Sequence, residues 1–193
     1  MTARRDVAVI GPDGRYRCPW ALSTPDYLAY HDDEWGKPVH GDDRIFERLT
    51  LEAFQSGLSW LTILRKRDAF RKAFAEFSIE AVAAFDNNDI ERLMADVAIV
   101  RNRAKIEAAI YNARAATQLG EGLSDFVWSF TPGDGRSAPI GLQDVPASTA
   151  ESIAMAKALK RKGFRFVGPT TAYALMQACG LVDDHLSGCC ARG

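Results

Sequence analysis

Apolar side chains recur at three- and four-residue steps along most of this chain, and that period limits its fold more than any other feature. In "DDRIFERLTLEAFQS" the residues Ile45, Phe46, Leu49 and Ala53 share a helical face. Asp42 and Asp43 stand before them, where capping and the helix dipole favour acids. "RDAFRKAFAEF" places Phe70, Phe74 and Phe77 on one face, and Ser78 is positioned to cap a short following helix. "NNDIERLMADV" and "RNRAKIEAAIYNARAATQLG" continue the pattern, the second ended by Gly120. No run of strand-like alternation and no internal repeat interrupts it. The expected fold class is all-α.

At 193 residues the chain can bury one good core, or one domain with a smaller lobe. Its formal net charge of −1 rules out nucleic-acid binding by bulk charge, so any such contact needs a local basic patch. The apolar run "VAVI" near the start is too short for a secretory signal, and no run reaches membrane-spanning length. A soluble, cytoplasmic protein is expected, with no membrane partner. Four Cys in a reducing compartment read as metal ligands, core residues or reactive thiols rather than disulfides.

The basic patch is concentrated late in the chain. From Ser152 to Val182 there is no Asp or Glu, while Lys157, Lys160, Arg161, Lys162 and Arg165 all fall there. "STAESIAMAKALKRKG" opens with a capping-box pattern, Ser148 and Glu151, and stops at Gly163. Pro169 suits the first turn of the next helix, "PTTAYALMQACG", which Gly180 ends. Gly163 and Gly168 bracket the connection "GFRFVG", with Phe164 and Phe166 available to anchor it. The second helix would offer free backbone N–H groups to an anion such as a DNA phosphate. The segment fits two descriptions equally: a plain αα-hairpin with a solvated basic face, or a helix-hairpin-helix that grips DNA backbone without reading sequence. Arg101, Arg103 and Lys105 form a second basic cluster.

Cys and His occur near both ends: Cys18 and His31, then His185 and Cys189 as H-x-x-x-C. Two Cys and two His make a closed tetrahedral zinc set, which would staple the ends together. Buried core thiols and surface histidines explain the same residues, and Cys190 could serve in place of Cys189. Cys179 lies in an apolar helix and reads as core, and His40 as surface. No H-E-x-x-H or deaminase pattern is present, so a metal here would be structural and a zinc hydrolase fits poorly.

The segments "CPW", "YLAYHDDEWG", "LEAFQSGLSW", "GFRFVG" and "LMQACGLVDDHLSGCC" together resemble the bacterial DNA-3-methyladenine glycosylase I family, of the helix-hairpin-helix superfamily. The resemblance runs from Cys18 to Cys190 and leaves out residues 1 to 17, an expected flexible extension. It implies a single catalytic unit over 18–193, with the helix-hairpin-helix at about 148–180. It also implies one structural zinc ion held by Cys18, His31, His185 and Cys189. Glu52 is implied as the pocket acid, with Trp20, Tyr27, Tyr30, Trp35 and Trp60 as aromatic lining. Gly163, Arg165, Gly168 and Thr170 fall where the hairpin would meet DNA backbone. Asp183, in "VDDH", stands where many superfamily relatives carry a catalytic Asp; this family is not thought to depend on it. Ala53 and Phe54 depart from the small and polar residues usual after the acid.

The function implied is removal of 3-methyladenine from alkylated double-stranded DNA by a monomeric enzyme that flips out the base and hydrolyses its N-glycosidic bond. The base is cationic in the nucleotide and leaves neutral. Recognition by stacking rings and a carboxylate therefore matters more than acid catalysis. Leu58 and Ser59 are candidates to fill the gap left by the flipped base. The competing reading is a non-catalytic, zinc-stabilised DNA-binding or damage-sensing protein.

Overall fold

The computed structural model describes residues 7–133 and 136–193. A short antiparallel hairpin, β1 (Val9–Ile10) and β2 (Tyr16–Arg17), leads into helix α1 (Pro25–Asp33). Then follow α2 (Asp42–Gln55), α3 (Trp60–Ala73), α4 (Ile79–Ala83), α5 (Asn87–Ala95), α6 (Arg103–Ala116) and α7 (Leu123–Trp128). After a long connection come α8 (Ala150–Arg161) and α9 (Pro169–Ala178). The all-α expectation holds, with the small hairpin added. Among the described residues no helix is long and apolar enough to cross a membrane.

Helix α2 runs through the middle of the core. Ile45, Phe46, Leu49, Leu51 and Phe54 are all fully buried, so apolar contacts surround it on more than one face. It packs against α3, α6, α7 and α9. Asp42 and Asp43 lie in its first turn but do not cap it. Asp42 accepts from Ser124 N at the start of α7, and Asp43 from Ile79 N at the start of α4. The acids thus tie two neighbouring helices to the central one.

The three phenylalanines meet, though not along one helix. α3 ends at Ala73, and Ala75, Glu76 and Phe77 turn through positive φ, a costly backbone for non-glycine residues. The Phe74 and Phe77 rings then stack at 5.7 Å. Other expectations also change. The cap of α8 is Thr149 paired with Ser152, not Ser148 with Glu151. Lys105 is buried rather than part of a basic surface, and Arg103 is paired with Glu91. Of the two hairpin aromatics, Phe164 is buried but Phe166 is exposed.

The segment before Cys18 is built into the fold from Val7 onward, unlike the flexible extension expected over residues 1–17; residues 1–6 lie outside the described residues. Arg17 is buried and pairs with Asp13 and Asp32, while Tyr16 O accepts from Cys190 N. The segments around Tyr16 and Cys190 therefore lie side by side. Gly180, at φ +73°, lies so close to the Lys37–Pro38 backbone that an added Cβ would collide with it.

Candidate active site

Glu52 lies on α2, one helical turn after Arg48, and is only 7% exposed. It opens onto a cavity of about 360 Å³ that Gln55, Ser56, Gly57, Leu58, Thr170, Thr171 and Ala174 also line. One wall is the end of α2 and its following turn; the other is the first part of α9. Burial pushes the Glu52 carboxyl up to about 8, against the opposing pull of Arg48. Arg48 is itself shared with Glu34 and Glu47, and Arg67 holds both oxygens of Glu34.

The aromatic residues form two sets joined through Trp20, whose ring centroid lies 6.5 Å from that of Tyr30. Tyr30 and Trp60 have ring centroids 5.4 Å apart. Burial, then the Glu52 charge, pushes the Tyr30 phenol well above its ordinary value, which places Tyr30 electrically beside the acid. Trp60 Nε1 is buried without a hydrogen-bond partner among the described residues. Trp20 and Trp35 instead pack edge to face at 5.1 Å, against His31 and His185 respectively. Tyr27 packs on Trp20 and its hydroxyl accepts from Leu61 N, steadying the start of α3. None of the five is among the cavity's lining residues. Leu58 lines the cavity and is partly exposed; Ser59 instead caps α3 through Thr62 N.

Cys18, His31 and Cys189 converge, their ligand atoms all within 4.8 Å of one another and all three residues buried. His185 is also buried, its ring centroid 4.7 Å from that of His31. Asp32 lies 2.8 Å from His31 Nδ1 and Asp183 lies 2.7 Å from His185 Nδ1. Each carboxylate holds one ring nitrogen, the arrangement that supports histidine ligands of metals. His31 Nε2 lies 3.4 Å from Cys189 Sγ, whereas His185 Nε2 lies 3.4 Å from His31 O and outside the converging set. Cys190 is exposed and stands apart, and Cys179 is a core residue. His40 is exposed and stacks on Trp128.

The α8–α9 connection is a tight turn. Gly163, at φ +94°, follows Lys162, the C-terminal cap of α8; Gly163 N donates to Lys160 O and Phe164 N to Leu159 O, satisfying orphan carbonyls of the helix end. Gly168 caps α9 and Pro169 fills its first position. Lys157, Lys160, Arg165, Phe166, Gly168 and Pro169 line one groove there. Thr170 and Thr171, in the first turn of the same helix, face the Glu52 cavity. One helix start thus borders both the basic groove and the acid's cavity. This adjacency was invisible in the spacing, although Ala174 follows Thr170 and Thr171 at helical steps of four and three residues.

Residues 20–192 match the family described as methyladenine glycosylase. The chain belongs to that family. It is 48% identical to DNA-3-methyladenine glycosylase 1 of Escherichia coli K12 over 178 residues, covering 90% of this chain and 95% of the relative. A crystal structure of 3-methyladenine DNA glycosylase I superposes with a TM-score of 0.87 at 47% identity, covering 92% of this chain and all of the other. A Staphylococcus aureus 3-methyladenine DNA glycosylase I, whose structure addresses 3-methyladenine recognition, gives a TM-score of 0.86 at 36% identity over 92% of this chain and 96% of its own. The match therefore extends over nearly the whole chain, from residue 20 to residue 192.

Proposed function

We propose that this methyladenine glycosylase excises 3-methyladenine from alkylated duplex DNA, acting as a cytoplasmic monomer and leaving an abasic site. The observation that carries the reading is the buried Glu52 carboxyl at an open cavity, with Tyr30 and Trp60 beside it, in a chain of this family.

The chemistry follows from the charge of the substrate. The flipped nucleotide carries a positive base. A ring face attracts such a cation by about 0.5–2 kcal/mol, which Tyr30 and Trp60 would supply together with Glu52. A cation brought against Glu52 favours its ionised form, although the carboxyl alone holds its proton up to about 8. Ordinary adenine gives the site no charge to pair. As the N-glycosidic bond breaks, its electron pair leaves with the base, which becomes neutral. Water adds to the sugar carbon and loses a proton to solvent. Trp20, Tyr27 and Trp35 support this wall from the side of the Cys/His cluster.

The α8–α9 unit serves as a helix-hairpin-helix. Gly163, Arg165, Gly168 and Thr170 would meet the DNA backbone, and Leu58 reaches the gap left by the flipped base. Two buried thiols and two carboxylate-backed imidazoles are a donor set suited to zinc. Cys18, His31, His185 and Cys189 would hold one ion, which supplies folding energy rather than reaction chemistry.

The test is detection by mass of free bases released from methylated duplex DNA. Release of 3-methyladenine with 7-methylguanine left in place establishes the activity and its selectivity. A folded, DNA-binding protein that releases nothing overturns it.

A further inference from the structure

Helix α6 holds Arg165 in the α8–α9 turn in two ways. The Arg165 N–H donates to Asn112 Oδ1 at 2.7 Å, and its carbonyl accepts from Asn112 Nδ2 at 3.1 Å. One side-chain amide thus satisfies both backbone polar groups of a single residue, as a neighbouring strand would. Asn112 is 1% exposed, a costly place for an amide without these bonds. The adjacent residue Tyr111 offers its ring to the guanidinium, whose carbon lies 3.5 Å from the ring centroid. Among the described residues, no other basic side chain from Lys157 to Arg165 is stacked on a ring.

The clamp sits where the backbone most needs holding. Phe166 has φ +55° and is 44% exposed, an unfavourable conformation for a residue with a Cβ and with little packing of its own. Freed from Asn112, the turn would relax. Freed from Tyr111, the guanidinium would sample many rotamers, each paid back in entropy on binding.

We propose that Asn112 and Tyr111 are positioning residues for DNA. Asn112 fixes the turn's backbone, and Tyr111 lays the Arg165 guanidinium flat so that its N–H edge faces a backbone phosphodiester. The identity of the ligand rests on the glycosylase reading; the clamp itself does not. Neither residue touches the base or the Glu52 cavity.

The experiment measures binding of a labelled duplex bearing a stable abasic analogue across a salt series. Binding of free 3-methyladenine and steady-state base release are measured alongside. Asn112→Ala is expected to weaken duplex binding, and to raise KM, roughly tenfold, while kcat and free-base binding hold. Tyr111→Leu is expected to make the salt dependence shallower by about one phosphate contact, and Tyr111→Phe, which keeps the ring, to restore it. Duplex binding at wild-type strength in Asn112→Ala overturns the proposal. So does an equal loss of duplex and free-base binding, which would mean a general loosening of the fold. A wild-type protein that binds duplex but releases no base overturns the glycosylase reading alone, because the duplex arm still reads the clamp.

Discussion

Asp183 Oδ1 lies 2.7 Å from His185 Nδ1 and also accepts from the His185 backbone N–H at 3.0 Å. The carboxylate thereby holds the orientation of an imidazole packed against His31. Asp183→Asn is therefore expected to weaken metal retention at least tenfold. Base release per metal-loaded molecule should stay close to wild type. Metal analysis after chelator challenge, paired with single-turnover base release, checks both. A loaded variant without activity would return Asp183 to the chemistry.

Cys18→Ser removes a thiol from a buried cluster that joins residues more than a hundred and fifty positions apart in sequence, since Leu186 N donates to Cys18 Sγ at 3.4 Å. The variant is expected to carry less zinc and to melt at lower temperature, because the ion's binding energy is folding energy. Gly36→Ala should do the same from outside the cluster. Its φ is +75° and an added Cβ would lie 2.8 Å from His185 Cε1. Unchanged metal content in Cys18→Ser would remove Cys18 from the ligand set.

Glu52 gives the enzyme a defined pH behaviour. Its carboxyl rises from 4.5 to about 8, first through burial, so the folded protein holds a proton that the unfolded chain has lost. Stability is then fully present below the unfolded value and is lost as pH climbs toward about 8, after which it is level. Glu52→Gln cannot ionise, so its melting temperature should exceed that of wild type in alkaline buffer and converge with it in acid. Base release should fall in the same variant. The wild-type kcat/KM should rise with pH toward a plateau above Glu52's value, and the variant should lack that rise. Thermal melts and rate profiles over one pH series test both statements.

Trp60 and Tyr30 form the ring pair beside Glu52. Trp60→Ala should weaken binding of the cationic base by about tenfold, the scale of a desolvated cation–π contact, and lower base release accordingly. Circular dichroism should show the helices retained. A variant with wild-type release would leave the selectivity to Glu52 and Tyr30.

Much of this arrangement was legible in the chain, for identifiable reasons. Helical period and terminal signals are local, so Gly163, Pro169 and Gly180 marked real boundaries. The Cys and His residues near the two ends stood out in the chain, although core thiols explained them equally well; the structure brings Cys18, His31 and Cys189 together. What could not be read was direction. Trp20 and Trp35 sit in the same stretch as Tyr30, yet both pack against the histidines, Trp20 also touching Tyr30. Asp42 and Asp43 cap helices other than their own. Lys105 looked like a surface charge beside Arg101 and Arg103, because sequence spacing does not show which carbonyls another helix brings near.

Lys105 leads to the last prediction. Its Nζ donates to Phe54 O at 2.9 Å and to Ser56 O at 2.5 Å, the carbonyls at the end of α2. Burial lowers its pKa, yet these bonds need the ammonium's donors. The next two residues, Gly57 and Leu58, line the Glu52 cavity, so the ammonium anchors the turn that shapes it. Lys105→Met keeps the aliphatic stem and removes the donors. Losing hydrogen bonds from a charged group to one buried and one partly buried carbonyl should cost about 1.5–3 kcal/mol. For a domain of this size that is a fall in Tm of about 5–10 °C. Base release should drop further than stability alone requires when both proteins are assayed well below their melting points, because the turn loses its hold beside Glu52. Zinc content should be unchanged. A variant that melts lower but releases base at the wild-type rate would show that Lys105 stabilises the helix end without shaping the cavity.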